Sequence, residues 1–276
     1  MKKILYLISF FVISQTLKAQ ETDLERTQYF PKVIEKVTNI PSKNKVWVFI
    51  MAGQSNMAGR GQVVPSDTIP NKRILSLNKQ GELIYAKEPL HFYEPTRTGL
   101  DCGVSFANRL LKQIPDDVSI LLIPTAVGGS AISQWLGDST YRDVKLLSNF
   151  KEKVAIGQKY GVVKGILWHQ GESDASEKRI PFHTQNLSKL FGTFRNFIGI
   201  KNLPIILGEL GSYSKTNDNW QKINQELRVY VSKDRYSTIV QTQDFKHKGD
   251  NVHFDSAGQR ALGERFALAY LLKFYK

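Results

Sequence analysis

The sequence predicts an α/β fold, a three-layer sandwich with a five-stranded parallel sheet flanked by helices, on three observations. Five short apolar runs recur along the chain, at Val46–Met51, Ser119–Pro124, Gly165–His169, Pro204–Glu209 and Thr238–Gln241. They are rich in Ile, Leu and Val and nearly unbroken by polar residues, as strands covered on both faces are. Segments of helical character separate them, at Val104–Ile114, Asp143–Tyr160, Phe182–Phe197 and Trp220–Val231. Such alternation is the pattern of parallel strands joined by crossover helices.

The chain opens with Lys2 and Lys3, an apolar stretch from Ile4 to Ile13, and Leu17-Lys18-Ala19. This reads as a signal peptide over residues 1–20, cleaved near Ala19 or Gln20. The apolar stretch is too short to span a bilayer as a helix, and no cysteine lies at the cut to carry a lipid. Export to the periplasm or the medium is expected, without stable membrane insertion. The 256 residues that remain fit one α/β domain. Residues 21–45 are expected to form a helical or extended lead-in, and 46–276 the main domain.

The first strand runs into a long connection, Gly53 to Gly103. Within it Arg73–Leu77 and Glu82–Ala86 are expected to pair as a hairpin across Asn78-Lys79-Gln80-Gly81. The rest should wall a cleft, because long loops at the carboxyl ends of strands commonly build binding sites. The last helix is expected to start at Ser256, where Ser256-Ala257-Gly258-Gln259 has the form of a capping box. Leu262, Phe266 and Ala269 then share the face that packs on the sheet, which would fix the preceding loop and His253 within it.

Cys102 is the only cysteine, which excludes an intramolecular disulfide and points to a packing role. The formal charge is +13; the leader supplies three lysines and no acids, leaving +10. The other lysines are scattered, with no arginine-rich block and no aromatic-basic alternation. The charge therefore reads as solvated surface, and nucleic acid is not an expected partner.

Four segments carry groups suited to catalysis. Ser55 lies in Gly53-Gln54-Ser55-Asn56-Met57, where the first strand ends and the chain turns. A serine hydroxyl attacks at neutral pH only when a base takes its proton. The segment lacks the final glycine of the Gly-x-Ser-x-Gly elbow, and a helix cap is the alternative role. Asp250-Asn251-Val252-His253 supplies the base, His253, with a carboxylate three residues earlier to orient its ring; Asp244 and Asp255 compete for that part. The tandem Gly128-Gly129 after the second strand lets a backbone N–H approach a ligand closely. Gln170, in Trp168-His169-Gln170-Gly171-Glu172-Ser173-Asp174 after the third, offers an amide. With the Ser55 N–H, Gly129 and Gln170 would form a three-donor oxyanion hole; the alternatives are a tight turn and a buried amide. All four segments fall at the edge where open α/β sheets bind ligands.

The chain resembles the SGNH-type hydrolases, in particular the carbohydrate O-acetylesterases that include sialate O-acetylesterases and some acetylxylan esterases. The matching stretches are Phe49–Gly59, Gly128–Trp135, Trp168–Asp174 and Asp250–Phe254, in the family order. The resemblance implies a flavodoxin-like sheet, Ser55 as nucleophile, His253 as base, Asp250 as its partner, and oxyanion donors at Gly129 and Gln170. It also brings in Glu172 as an alternative acid. The implied activity is removal of O-acetyl groups from carbohydrate through an acetyl-serine intermediate, without metal or organic cofactor. Relatives often carry Gly-Pro-Gly before the segment matching Val104-Ser105-Phe106, where this chain has Asp101-Cys102-Gly103. Contacts from that loop are therefore not carried over.

Gln54, Asn56, Arg60 and Trp135 are further candidates for substrate contact, Trp135 by stacking on a sugar ring; the alternatives are a core position for Trp135 after Ile132 and solvated surface for Arg60. Two alternatives stand beside the esterase. One is a metal-dependent hydrolase using His247, Asp250, His253 and Asp255, whose spacing matches no strong ligand motif. The other is a non-catalytic glycan-binding protein on the same fold.

Overall fold

The computed structural model describes residues 24–275, and the expected signal peptide lies outside the described residues. The strands are β1 (Val46–Gly53), β2 (Ile74–Leu77), β3 (Leu83–Tyr85), β4 (Ser119–Pro124), β5 (Thr140–Tyr141), β6 (Val144–Lys145), β7 (Val162–His169), β8 (Ile205–Gly208) and β9 (Ser237–Val240). The main sheet has the order β3-β2-β4-β1-β7-β8-β9, and β5 and β6 form a separate small hairpin. Every neighbouring pair in the main sheet is parallel except β2 and β3. The five expected strands are all present, and β4-β1-β7-β8-β9 is the flavodoxin-like order.

The sheet has seven strands, not five. The expected hairpin does form, but β2 also joins the sheet, pairing Ile74, Leu75 and Ser76 with Ile120, Leu121 and Leu122 of β4. Its four residues include Ser76, so it lacks the long apolar run that marks the central strands. The lead-in covers the outer edge of β3, where Tyr85 donates its N–H to the Glu35 carbonyl and Val37 to that of Leu83, both at 3.0 Å. Covering an edge strand in this way removes a template for pairing with other chains.

β1 sorts its side chains between two cores with the two-residue period of a strand. Val46, Val48, Ile50 and Ala52 enter one, and Trp47, Phe49 and Met51 the other. The helices are α1 (Ser55–Ala58), α2 (Gly103–Leu111), α3 (Ile132–Leu136), α4 (Leu146–Tyr160), α5 (His183–Ile198), α6 (Asn217–Lys233) and α7 (Ser256–Phe274). α3 to α6 contribute to the first core and α2 and α7 to the second, so helices lie on both faces. Cys102 is a buried free thiol beside Met57.

The start of α7 differs from expectation in its chemistry. Asp255 is the cap, its Oδ1 accepting the Gly258 N–H at 2.7 Å. The capping box at Ser256 is not formed. Ser256 Oγ instead accepts the Gln62 N–H at 2.8 Å and donates to the Gln62 carbonyl at 3.1 Å, while Gln259 Nε2 donates to the Asn56 carbonyl at 3.1 Å. The first turn of α7 is thus tied to the segment that follows Ser55. Leu262 and Phe266 are fully buried on the second core, with Ala269 packed beside them.

Candidate active site

β1 lies at the centre of the sheet and delivers Ser55 to its carboxyl edge. Gln54 donates its N–H to the His169 carbonyl at 2.9 Å, holding the exit of β1 against β7. The chain then turns into α1, of which Ser55 is the first residue. Its N–H points off the end of the helix, as first-turn amides do, and has no acceptor among the described residues.

His253 sits on a loop that doubles back on itself. Lys248 donates its N–H to the His253 carbonyl at 2.9 Å and Asp255 to that of Lys246 at 3.0 Å. Asn251 makes the turn at φ 58°, a left-handed conformation that asparagine tolerates better than most residues. Asp250 Oδ1 accepts the N–H groups of Val252 at 3.0 Å and His253 at 2.8 Å. Its Oδ2 lies 2.7 Å from His253 Nδ1, and the other ring nitrogen, Nε2, lies 3.0 Å from Ser55 Oγ. A carboxylate can only accept, so Nδ1 carries the proton and Nε2 presents its lone pair to the serine hydroxyl. Burial pushes the His253 imidazole below its ordinary pKa of 6.5, and Arg60 and Lys248 add to this against the opposing pull of Asp250. Burial works against the Asp250 charge, but the hydrogen bonds from His253 and Val252 outweigh it and hold the carboxyl low.

Asn56 joins the two halves. It is 1% exposed, and its Nδ2 donates to the Val252 carbonyl at 3.2 Å and to Glu172 Oε1 at 2.7 Å. Its Oδ1 accepts the Phe254 N–H at 2.9 Å. The residue after the serine therefore grips the backbone on both sides of His253. These bonds occupy Asn56, an expected substrate contact, in joining the Ser55 turn to the His253 loop. Glu172, the alternative acid, is placed against Asn56, and 3.8 Å from His169 Nδ1, rather than against His253.

Gly129 has φ +83°, and a Cβ there would come within 2.8 Å of Tyr141 Oη. Its N–H has no acceptor among the described residues. Gln170 is buried, and its Nε2 donates to Asp174 Oδ2 at 2.5 Å and to the Ser130 carbonyl at 3.3 Å, which engages both amide hydrogens. Gln54 is also buried, its Oε1 accepting the Ser173 N–H at 3.3 Å.

With this geometry in place, the chain can be compared with known proteins. A family model described as carbohydrate esterase, sialic acid-specific acetylesterase, matches residues 45–272. The chain belongs to this carbohydrate esterase family. A probable carbohydrate esterase of Arabidopsis thaliana is 30% identical over 248 residues, spanning 82% of this chain and 91% of that protein. The Arabidopsis crystal structure superposes with a TM-score of 0.73 at 28% identity, covering 83% of this chain and 98% of that one. The structure of NanS gives a TM-score of 0.68 at 19% identity, over 84% of this chain and 98% of that one. A carbohydrate acetylesterase of Xanthomonas citri gives 0.63 at 20%, over 84% and 57%. The last two bear on the fold alone. The resemblance read from the sequence motifs is thereby borne out.

Other expected site residues lie deeper in the fold. Trp135 is fully buried, packed edge-on against Trp168 and Phe194, with Nε1 donating to Ser130 Oγ at 2.9 Å. Its ring is enclosed in the core, as its place after Ile132 allows, and removing a tryptophan from such a core costs about 3–5 kcal/mol. Arg60 is buried as well, bonded to Glu94 Oε2 and the Gly59 carbonyl, both at 2.7 Å. Its charge is one of the influences that lower the His253 pKa.

The side chains of the metal reading are engaged elsewhere. His247 Nδ1 accepts the N–H groups of Gly249 and Asn251, Asp255 caps α7, and both ring nitrogens of His253 are taken. Among the described residues, no group of three His, Cys, Asp or Glu side chains is placed to hold a metal ion. Of the competing acids, Asp244 pairs with Arg265 at 2.6 Å. Sequence reasoning missed Glu94, a buried carboxylate beneath the Gly128-Gly129 turn, and no local pattern in Tyr93-Glu94-Pro95 marks it.

Proposed function

We propose that this chain is an exported serine esterase that removes O-acetyl groups from carbohydrate. The observation that carries the reading is the unbroken relay from Ser55 Oγ through the His253 ring to Asp250, at 3.0 and 2.7 Å. Membership of a carbohydrate esterase family supports it. Ser55 attacks the acetyl carbonyl carbon as His253 Nε2 takes its proton. The carbonyl π electrons move onto oxygen, which the Ser55 and Gly129 N–H groups receive. Collapse expels the sugar oxygen, protonated by His253. Water, deprotonated by the same nitrogen, then releases acetate from Ser55. Sialic acid is the first substrate class to test, from the family description; xylan and pectic glycans belong in the same panel. Acetate release from acetylated sialosides and polysaccharides tests the reading. Binding without release would favour the non-catalytic alternative.

Gln170 joins the oxyanion hole in this proposal when its longer bond, 3.3 Å to the Ser130 carbonyl, yields to the developing charge. Gln170→Ala is then expected to lower kcat on the order of a hundredfold. An unchanged kcat would leave Gln170 as a support for Asp174 alone. The pH profile gives a second check. His253 must be neutral to act, and its pKa is depressed below 6.5. As pH rises, kcat/KM should climb to a plateau, with the midpoint of the climb below pH 6.5. A midpoint above about 7 would contradict a depressed histidine base.

A further inference from the structure

We propose that Glu94 is a positioning residue for the oxyanion hole, holding the Gly128-Gly129 turn in register with Ser55. The inference rests on the esterase reading. The Glu94 side chain is 4% exposed, and it makes three hydrogen bonds to charged or backbone donors. Oε2 accepts the Gly128 N–H at 2.6 Å and Arg60 Nη2 at 2.7 Å, and Oε1 accepts Arg142 Nη1 at 2.6 Å. An enclosed carboxylate is tolerated only when paired and hydrogen-bonded in this way. Burial opposes its charge, but Arg60, Gly128 and Arg142 hold the carboxyl below the usual range. Glu94 is itself fixed, because its carbonyl accepts the N–H groups of Arg97 and Thr98.

The turn is seated directly on this pair. A Cβ on Gly128 would lie 2.2 Å from Arg60 Nη2 and 2.4 Å from Glu94 Oε2. A glycine packed this closely would otherwise be the freest residue in the loop. Rotation about its backbone bonds would swing the next peptide, and with it the Gly129 N–H. The short bond from Gly128 to Glu94 resists that rotation from below. From above, Arg142 ties Glu94 to the β5–β6 hairpin, whose Tyr141 hydroxyl overhangs Gly129. Glu94 has no hydrogen bond to Ser55 or His253; the charge-preserving Glu94→Asp acts through the turn, whereas Glu94→Gln also leaves unpaired the Arg60 charge that bears on His253, so the rates are compared on the pH plateau. An interaction that matters only once the oxyanion forms should appear in kcat and leave KM nearly unchanged.

The test uses the full chain as wild type, Glu94→Gln and Glu94→Asp. Glu94→Asp keeps the charge that the two arginines require, which protects folding, and withdraws the carboxylate from Gly128 by one methylene. Two rates are read: turnover of p-nitrophenyl acetate, and labelling of Ser55 by a neutral p-nitrophenyl alkylphosphonate, followed by intact mass. The phosphoryl oxygen of that probe enters the same hole. Both variants should show kcat and labelling slowed by about tenfold to a hundredfold, with KM within about threefold of wild type. Glu94→Asp labelled at the wild-type rate with unchanged kcat, or a loss confined to KM, would overturn the inference. A wild type that is neither labelled at Ser55 nor active would instead overturn the esterase reading, and the inference with it.

Discussion

Ser55→Ala should abolish acetate release, with kcat falling by up to roughly a millionfold, the scale seen when a serine triad loses its nucleophile. The substitution removes one oxygen whose single hydrogen bond among the described residues is to His253 Nε2. The Ser55 N–H, the Gly129 turn and the Asn56 grip on the His253 loop are untouched. Alanine also suits the first turn of a short helix, so the thermal midpoint should stay close to wild type. Activity loss without unfolding is therefore the expected signature. The variant should still bind acetylated glycan, because the substitution leaves the surrounding backbone and the His253 loop in place. Retention of more than about a tenth of the rate would take Ser55 out of the mechanism, since background from the oxyanion hole alone is orders of magnitude smaller.

The central strands were legible in the sequence because burial on both faces forces a continuous apolar run, as in Val46–Met51. The same physics hid β2. β2 lies one strand in from the edge, between β3 and β4; its four buried residues, one of them a serine, are too few to make such a run, and nothing local states that it will pair with β4 as well as β3. The relay was legible as residue types, although Ser55 and His253 are 198 positions apart. What brings them together is less visible: the central position of β1, the anchoring of α7 and the grip of Asn56 on Val252 and Phe254. Asn56 is polar and adjacent to Ser55, so it reads as a substrate contact, and nothing local shows that it also holds the His253 loop. Trp135 carried both readings in the sequence, sugar stacking and core. Its three-residue spacing from Ile132 is that of one helical face, and both residues point into the core. Glu94 was invisible because its partners, Arg60, Gly128 and Arg142, come from three separate segments.

Asp250→Asn and Glu172→Gln separate the two acids by the size of their effects. In Asp250→Asn the side-chain amide would retain an oxygen for the Val252 and His253 N–H groups, so the loop should keep its shape. The amide nitrogen, however, would face His253 Nδ1, donor against donor. The ring escapes by moving its proton to Nε2, and in that tautomer it cannot accept the Ser55 proton. The expected loss in kcat is on the order of ten-thousandfold. Glu172→Gln has no such consequence, because its carbonyl oxygen can still accept from Asn56 Nδ2. What weakens is one charge-assisted bond, and the cost should not exceed about tenfold, equivalent to ~1.4 kcal/mol. The pH profiles should diverge as well. Asp250 raises the His253 pKa against the stronger effect of burial, so removing its charge lets that pKa fall further. The acid limb of Asp250→Asn should therefore shift to lower pH while its plateau drops, whereas Glu172→Gln should keep a limb close to that of the wild type. A larger loss and a larger shift in Glu172→Gln would transfer the orienting role to Glu172, and would require the His253 ring to leave the 2.7 Å contact with Asp250 during catalysis.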